Sequence, residues 1–464
     1  MQQTAAGDPE LDVNEFITFF KGSSHNYGYI YTTEISEDLY RQVTYHSMYS
    51  FTAPQLTFRL RQTFDDRNYV EPKGPGAKRR TVATNSPYDF HGLVEPNVDW
   101  QQIHTIEGAA LNDATFNGKI IEEDIKFTGK AKVFNSSLLS TRPTKKRALP
   151  EASYKEESPV LEDPVFKEIA QEQTKASIRV FTTAKALAAI SVVNRSVCPF
   201  ELIFKKEGIN LWVYTRTEES PAVLESSYET ITIPVNQRRD DTREEFLRNL
   251  VEASNIAAQF QAAANSGDGP TFPLGEDLEH PGDNDESKPY LYRRLVLDNV
   301  EFIIRAEIDC LRDPLQPGER PSIAICRTFN NIPTSLRQVN YVNDLDKARS
   351  SLLLAEVKDN SNAFAKWVAV GRFMDCQQIF LGFVERKQSS NKQQHVLLAS
   401  ERQAYGRGAS IITLSEASLM GQIYQVFQKM ISSNDGIYHF QRDSTHKMVK
   451  IFKEVKDKVK LDEE

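Results

Sequence analysis

The stretch YLYRRLVLDNVEFIIRAEID, residues 290–309, constrains this chain most, because its second half alternates with the period of a half-buried β-strand. Val300, Phe302, Ile304, Ala306 and Ile308 point one way, while Glu301, Ile303, Arg305, Glu307 and Asp309 point the other. Further on, SLLLAEVK (351–358) repeats the design, with Leu353, Ala355 and Val357 opposite Leu352, Leu354, Glu356 and Lys358. If the two segments lie side by side as strands, Glu307, Asp309, Glu356 and Lys358 converge on one patch. Such a patch is either a metal-dependent site or a salt-bridged sheet face.

With 464 residues the chain is long enough for one large core with appendages. Its net charge of -8 argues against a general nucleic-acid coat but leaves room for a local basic path, since phosphate affinity follows clustered Lys and Arg. Cys198, Cys310, Cys326 and Cys376 are widely spaced, which suits reduced thiols of a cytoplasmic protein better than a disulfide or zinc framework. No apolar run approaches the ~18–20 residues of a membrane span, and the polar start MQQTAAGDPELDVNEF has none of the marks of a signal peptide.

Residues 1–160 read as an extended tail. Aromatic residues such as Phe19, Tyr27, Tyr29 and Tyr45 lie there without helical periodicity, beside the basic clusters Lys78-Arg79-Arg80 and Lys145-Lys146-Arg147. The basic clusters suit a solvated linker, but plain linkers lack aromatics, so the segment equally suits a tail that folds on a partner or lies along RNA. Order begins at Asp163-Pro164, a helix start, and continues with a helix over 184–193. A hairpin follows, FELIFKK and INLWVYT about Glu207-Gly208. An acidic, Pro-bounded loop spans 218–236; Thr242-Arg-Glu-Glu245 opens a helix to Ala264 buried through Phe246, Leu250, Ala253, Ala257 and Phe260. After a surface loop at 266–288 come strands at 290–309 and 321–330, a helix at 362–373, and strands at 379–386 and 395–400. A helix opened by Thr413-Leu-Ser-Glu416, a strand at 437–442 and a lysine-rich tail complete the chain. The class is α+β, with mixed β-sheets flanked by helices.

The usual catalytic signatures are missing: GxxxxGK[ST], GxGxxG and GxSxG do not occur, and the eight histidines are scattered. What remains is Glu307-x-Asp309 with Glu356-x-Lys358. Two-metal phosphodiester cleavage needs several carboxylates about ions ~3.5–4 Å apart, with a lysine on the water or phosphate. These short motifs also arise by chance, and from the residues alone a structural ion-pair network is the favoured account.

On particular motifs the chain resembles the d subunit of eukaryotic translation initiation factor three. They are Asp163-Pro164-Val165, Arg195-Ser196-Val197, Tyr290-x-Tyr292-Arg293-Arg294, Arg305-Ala306-Glu307-x-Asp309, Glu356-Val357-Lys358-Asp359-Asn360-Ser361, Leu381-Gly382-Phe383-Val384 and His395-Val396-Leu397-Leu398. They are collinear over about 160–453, with a weaker echo at Tyr27-Gly28-Tyr29.

The resemblance implies a decapping-exoribonuclease-like core over 161–453, between the N-terminal tail and a charged tail at 454–464. It implies no catalysis, cofactor or resident metal; any ion would fall to Glu307, Asp309 and Glu356. The expected function is assembly of the small-subunit preinitiation complex and mRNA recruitment, through an mRNA cap- or RNA-binding cleft. Cleft candidates are Val197, Cys198, Ser254, Arg293, Arg294, Arg305, Glu307, Asp309, Glu356 and Lys358. The loop 220–234, marked by Ser220, Glu225, Tyr228 and Pro234, is similar to the family's gate over the RNA channel. Partners implied are the e and core subunits of the factor (through the N-terminal tail), the small ribosomal subunit and mRNA. The alternative is a metal-dependent RNA 5′-end hydrolase. Where the family contacts the cap, this chain aligns Ala184, Val197, Cys198, Ser254, Ala257 and Ala258. These small side chains weigh against cap binding in the family's mode, because a methylated guanine calls for aromatic or carboxylate partners.

Overall fold

A computed structural model describes residue 94 and residues 96–455, apart from 156–157, 197, 217–219, 226–242, 279–287, 332–340 and 443–447. The sequence readings at Tyr27-Gly28-Tyr29, Lys78-Arg79-Arg80, Val197, Tyr228, Pro234, Thr242 and the last nine residues lie outside the described residues, as does the side chain of Phe246.

Two mixed sheets carry the fold. The larger runs edge to edge through β1 (Trp100–Glu107), β16 (Met448–Glu454), β15 (Gly436–Arg442), β6 (Phe200–Glu207), β7 (Asn210–Tyr214), β5 (Ile178–Thr183), β10 (Val300–Glu307), β9 (Tyr290–Leu297) and β2 (Ile120–Thr128). The smaller runs β11 (Cys310–Leu311), β12 (Ile323–Asn331), β13 (Gln378–Arg386), β14 (His395–Ala404) and β4 (Arg147–Ala148). A short ribbon pairs β3 (Lys130–Lys132) with β8 (Thr271–Pro273). β5 lies parallel to β7 and β10, and β12 parallel to β13, which makes both sheets mixed.

The alternation at 300–308 survives in the packing. Val300, Phe302, Ile304, Ala306 and Ile308 enter the main core, whereas Ile303 enters a second cluster on the opposite face. β9 and β10 turn tightly at Asp298, whose φ of 51° is one that Asp tolerates. The turn at Gly208 has φ +60° and links β6 to β7 as the sequence indicates.

Helices α1 (Gly108–Asp113), α2 (Pro164–Ala170), α3 (Ala184–Ser191), α4 (Arg243–Ala264), α5 (Tyr341–Lys347), α6 (Arg349–Asp359), α7 (Ser361–Phe373), α8 (Tyr405–Ile411) and α9 (Glu416–Ile431) complete the described elements. The main core joins α3, α7 and α9 to residues of both sheets. Val165, Phe166 and Ile169 of α2 cover Phe181, Tyr292 and Ile303 of the large sheet. α4 covers Cys326 and Phe380 of the small one through Ile256 and Phe260. Asp163 caps α2 by accepting the N–H of Phe166, and Thr183 caps α3 by accepting that of Ala186.

Four expectations need correction. SLLLAEVK is helical and forms most of α6, not a strand. Its Leu, Ala, Glu and Lys residues are strong helix formers, and an eight-residue apolar run satisfies either period. Residues 100–148, read as tail, supply β1–β4 and α1; the edge strands β1 and β2 are half-exposed on both faces, so their alternation is weak. The lysine-rich end likewise contains β16, which pairs with both β1 and β15, and Val455 N–H donates to Asp99 O at 3.3 Å. The helix at 416–431 is capped by Ser415 rather than Thr413, and Thr413 itself sits at φ 50°.

Candidate nucleic-acid interface

Glu307 ends β10 at the edge where the chain leaves the large sheet. Two residues later Asp309 leads into β11 of the small sheet. This passage opens a cavity of about 500 Å³. β12 contributes Arg327, the first turn of α3 contributes Lys185, and the segment before β9 contributes Lys288. Ser254, Ala257, Ala258 and Gln261 on α4 form one wall, and Lys130 and Lys132 of β3 form another with Tyr154 and Lys155.

Each carboxylate is held by cations. Glu307 lies 3.3 Å from Lys288 and 3.5 Å from Lys185. Burial pushes its carboxyl up, but Lys288 and Lys185 outweigh burial and hold it down at about 2. Asp309 accepts from Arg327 at 2.5 Å, from the Cys326 N–H at 2.7 Å and from Gln261 at 3.2 Å. Burial nevertheless raises its carboxyl above the ordinary value, against the pull of Arg327. Arg327 also reaches Glu225 at 3.3 Å, and its guanidinium is held charged by Asp309 and Glu225 against burial. Glu225 in turn accepts from the Trp367 indole, and its backbone N–H donates to Ser254 Oγ. Arg327 is therefore fixed between Asp309 and Glu225, and the two half-buried lysines bracket Glu307.

Among the described residues, Lys130, Lys132, Lys155, Lys185, Lys288 and Arg327 face only Glu225, Glu307 and Asp309 across this cavity. The excess is cationic. A divalent ion does not fit this set: Glu356 is elsewhere, Glu225 is engaged by Arg327 and Trp367, and three cations already occupy Glu307 and Asp309. Among the described residues there is no group of three His, Cys, Asp or Glu placed to hold a metal.

The other predicted residues scatter. Glu356 is fully buried in α6 and bonds Asn360 at the junction with α7, while Lys358 is exposed on α6; neither lines the cavity. Arg293 turns to Glu122 and Asp124, Arg294 to Glu123, Glu172 and Glu301, and Arg305 to Asp163 at 2.7 Å. These arginines serve ion pairs within the large sheet and the element covering it. Cys198 packs against Leu224 and Leu250, and Ala184 is buried. Ser220 is buried near the start of the acidic loop, where Glu225 meets the cavity. Among the described residues, Ser254, Glu225, Glu307 and Asp309 of the predicted site share this cavity, with Ala257 and Ala258 of the positions aligned to the cap contacts.

Lys185, Lys288 and Arg327 were not foreseen. Arg327 had a local signal, a lone cation inside the apolar run SIAICRTF. Lys185 and Lys288 had none, since only the tertiary fold brings α3 and the start of β9 together.

Among solved structures, Schizosaccharomyces pombe Rai1 in complex with 3′-FADP superposes with a TM-score of 0.40 at 10% identity, covering 76% of this chain and 99% of that one. Scheffersomyces stipitis Rai1 with (3′-NADP)+ and a calcium ion gives 0.43 at 11%, covering 78% and 94%. The D subunit of eukaryotic translation initiation factor 3 from Arabidopsis thaliana is 24% identical over 368 residues, 78% of this chain and 61% of the relative. The Xenopus laevis protein of that name is 24% identical over 409 residues, 86% and 70%. The Homo sapiens protein is 26% identical over 301 residues, 63% and 53%. The chain thus spans between 53% and 70% of the length of these relatives. The model of the family described as eukaryotic translation initiation factor 3 subunit 7 (eIF-3) matches residues 54–453, and the chain belongs to that family.

Proposed function

We propose that this chain is a non-enzymatic subunit of eukaryotic translation initiation factor 3 that helps assemble the cytoplasmic small-subunit preinitiation complex and recruit mRNA. In this reading the basic cavity holds phosphates at the 5′ end of the message. The cationic excess about Glu307 and Asp309 carries the proposal: even with Lys130 paired to Asp277 outside the cavity, the other five cations exceed the three lining carboxylates, which favours a polyanion. Lys185 and Lys288, at 3.3–3.5 Å from Glu307, are kept by that carboxylate on the wall of the cavity, where a phosphate can meet them. Arg327 stays fixed by Asp309. The small Ser254, Ala257 and Ala258 leave width for a backbone, and they offer no aromatic or acidic cradle for a methylated guanine. Partners in this reading are the e subunit and other subunits of the factor, held through the N-terminal region, and the small ribosomal subunit.

Fluorescence anisotropy with a short 5′-phosphorylated RNA and its capped twin tests the proposal, with magnesium present and RNA length followed on gels. The expected outcome is salt-dependent binding of both without shortening. Lys185→Ala and Lys288→Ala should each weaken binding and flatten the log–log salt slope by ~0.7. Shortening that Glu307→Gln abolishes would establish the hydrolase instead.

A further inference from the structure

A second cavity, of about 230 Å³, lies beside the basic one and shares Tyr154 and Val223 with it. Its chemistry is different. Val160, Leu161, Ala186 and Val213 give it an apolar lining, and Tyr214 supplies an aromatic ring. Ser158 and Thr183 put hydroxyl-bearing residues on its wall. Tyr154 stands on the divide, with the Lys185 ammonium 5.6 Å from its ring centroid. A cationic wall therefore meets a largely apolar chamber bearing tyrosines across the shared residues Tyr154 and Val223.

That juxtaposition matches a nucleotide in outline: an anionic end for the lysines and a flat, largely apolar base with a polar edge. Aromatic rings stack on any base, because every base has a π-face, whereas a chamber of this size admits one base and not a run of them. We infer that the chamber takes a single unpaired nucleobase of the RNA whose phosphates lie in the basic cavity. It thereby fixes which nucleotide sits at Lys185. The inference rests on the phosphate-binding reading above.

The test uses the full chain and a set of 5′-phosphorylated hexanucleotide RNAs, each with one position made abasic, read by anisotropy. One abasic position should weaken binding about fivefold or more, the scale of a lost stacking partner, while the others change it little. Ala186→Leu, which fills the chamber, should flatten this positional profile. If that variant fails to melt cooperatively, Tyr214→Ala at the chamber is read in its place with the same expectation. RNA that binds well with a flat profile in the unsubstituted protein overturns the chamber and leaves the phosphate reading standing. A profile that persists in a folded variant also overturns the chamber. Failure of every RNA to bind overturns both.

Discussion

Glu307 and Asp309 stand two residues apart on one cavity and are pushed in opposite directions. The lysines hold Glu307 at about 2, below the ordinary 4.5, so its charged form stabilises the fold. That contribution is complete above the unfolded value and is lost as pH falls from 4.5 toward 2. From the shift it amounts to ~3 kcal/mol at most. Asp309 has the opposite sign: its raised value favours the protonated form, so ionising it on the way up in pH takes stability away. Glu307→Gln should therefore destabilise the protein at pH 7, and the gap from the unsubstituted chain should narrow markedly by pH 3. Urea titrations at the two pH values would read this; parallel losses at both would mean that the lysines do not hold Glu307 as described.

Elements differ in how plainly the sequence announces them. β10 was legible because five alternate positions carry apolar side chains that do enter one core. α6 was not, because Leu352, Leu353 and Leu354 fit two periods and the decision lies in packing: all three, with Val357, join the main core. The same mistake put Glu356 at the site, since a strand would have aimed it at Glu307, whereas the helix aims it at Asn360. Thr413 and Ser415 show the limit at single caps. Both suit a capping box by type, yet Ser415 accepts the N–H of Ser418. Ser415→Ala should cost about 1 kcal/mol. Thr413→Gly should be neutral or stabilising by up to about 1 kcal/mol, because it relieves a left-handed backbone. Thermal melts of the two variants would distinguish them, and equal destabilisation would move the cap back to Thr413.

At the scale of the molecule, the boundary near residue 160 has no counterpart in the folded body. β1 pairs along β16 and β2 along β9, and a Cβ on Gly421 of α9 would lie 2.6 Å from the backbone of Ala114 and Thr115. The segment after α1 is thus fitted against α9 with no room to spare. A chain starting at residue 160 should lose its cooperative melt, whereas one starting at 94 keeps every described strand and should retain it. Differential scanning calorimetry of both would settle the boundary, and a cooperative transition from the shorter chain would restore the tail reading for 94–159. The pairing of β1 with β16 also places Asp99 against Val455, at one corner of the large sheet. Whatever is tethered ahead of the first strand and behind the last is delivered to that same corner. Two neighbours grasping the chain from its two sides would therefore share a single anchorage.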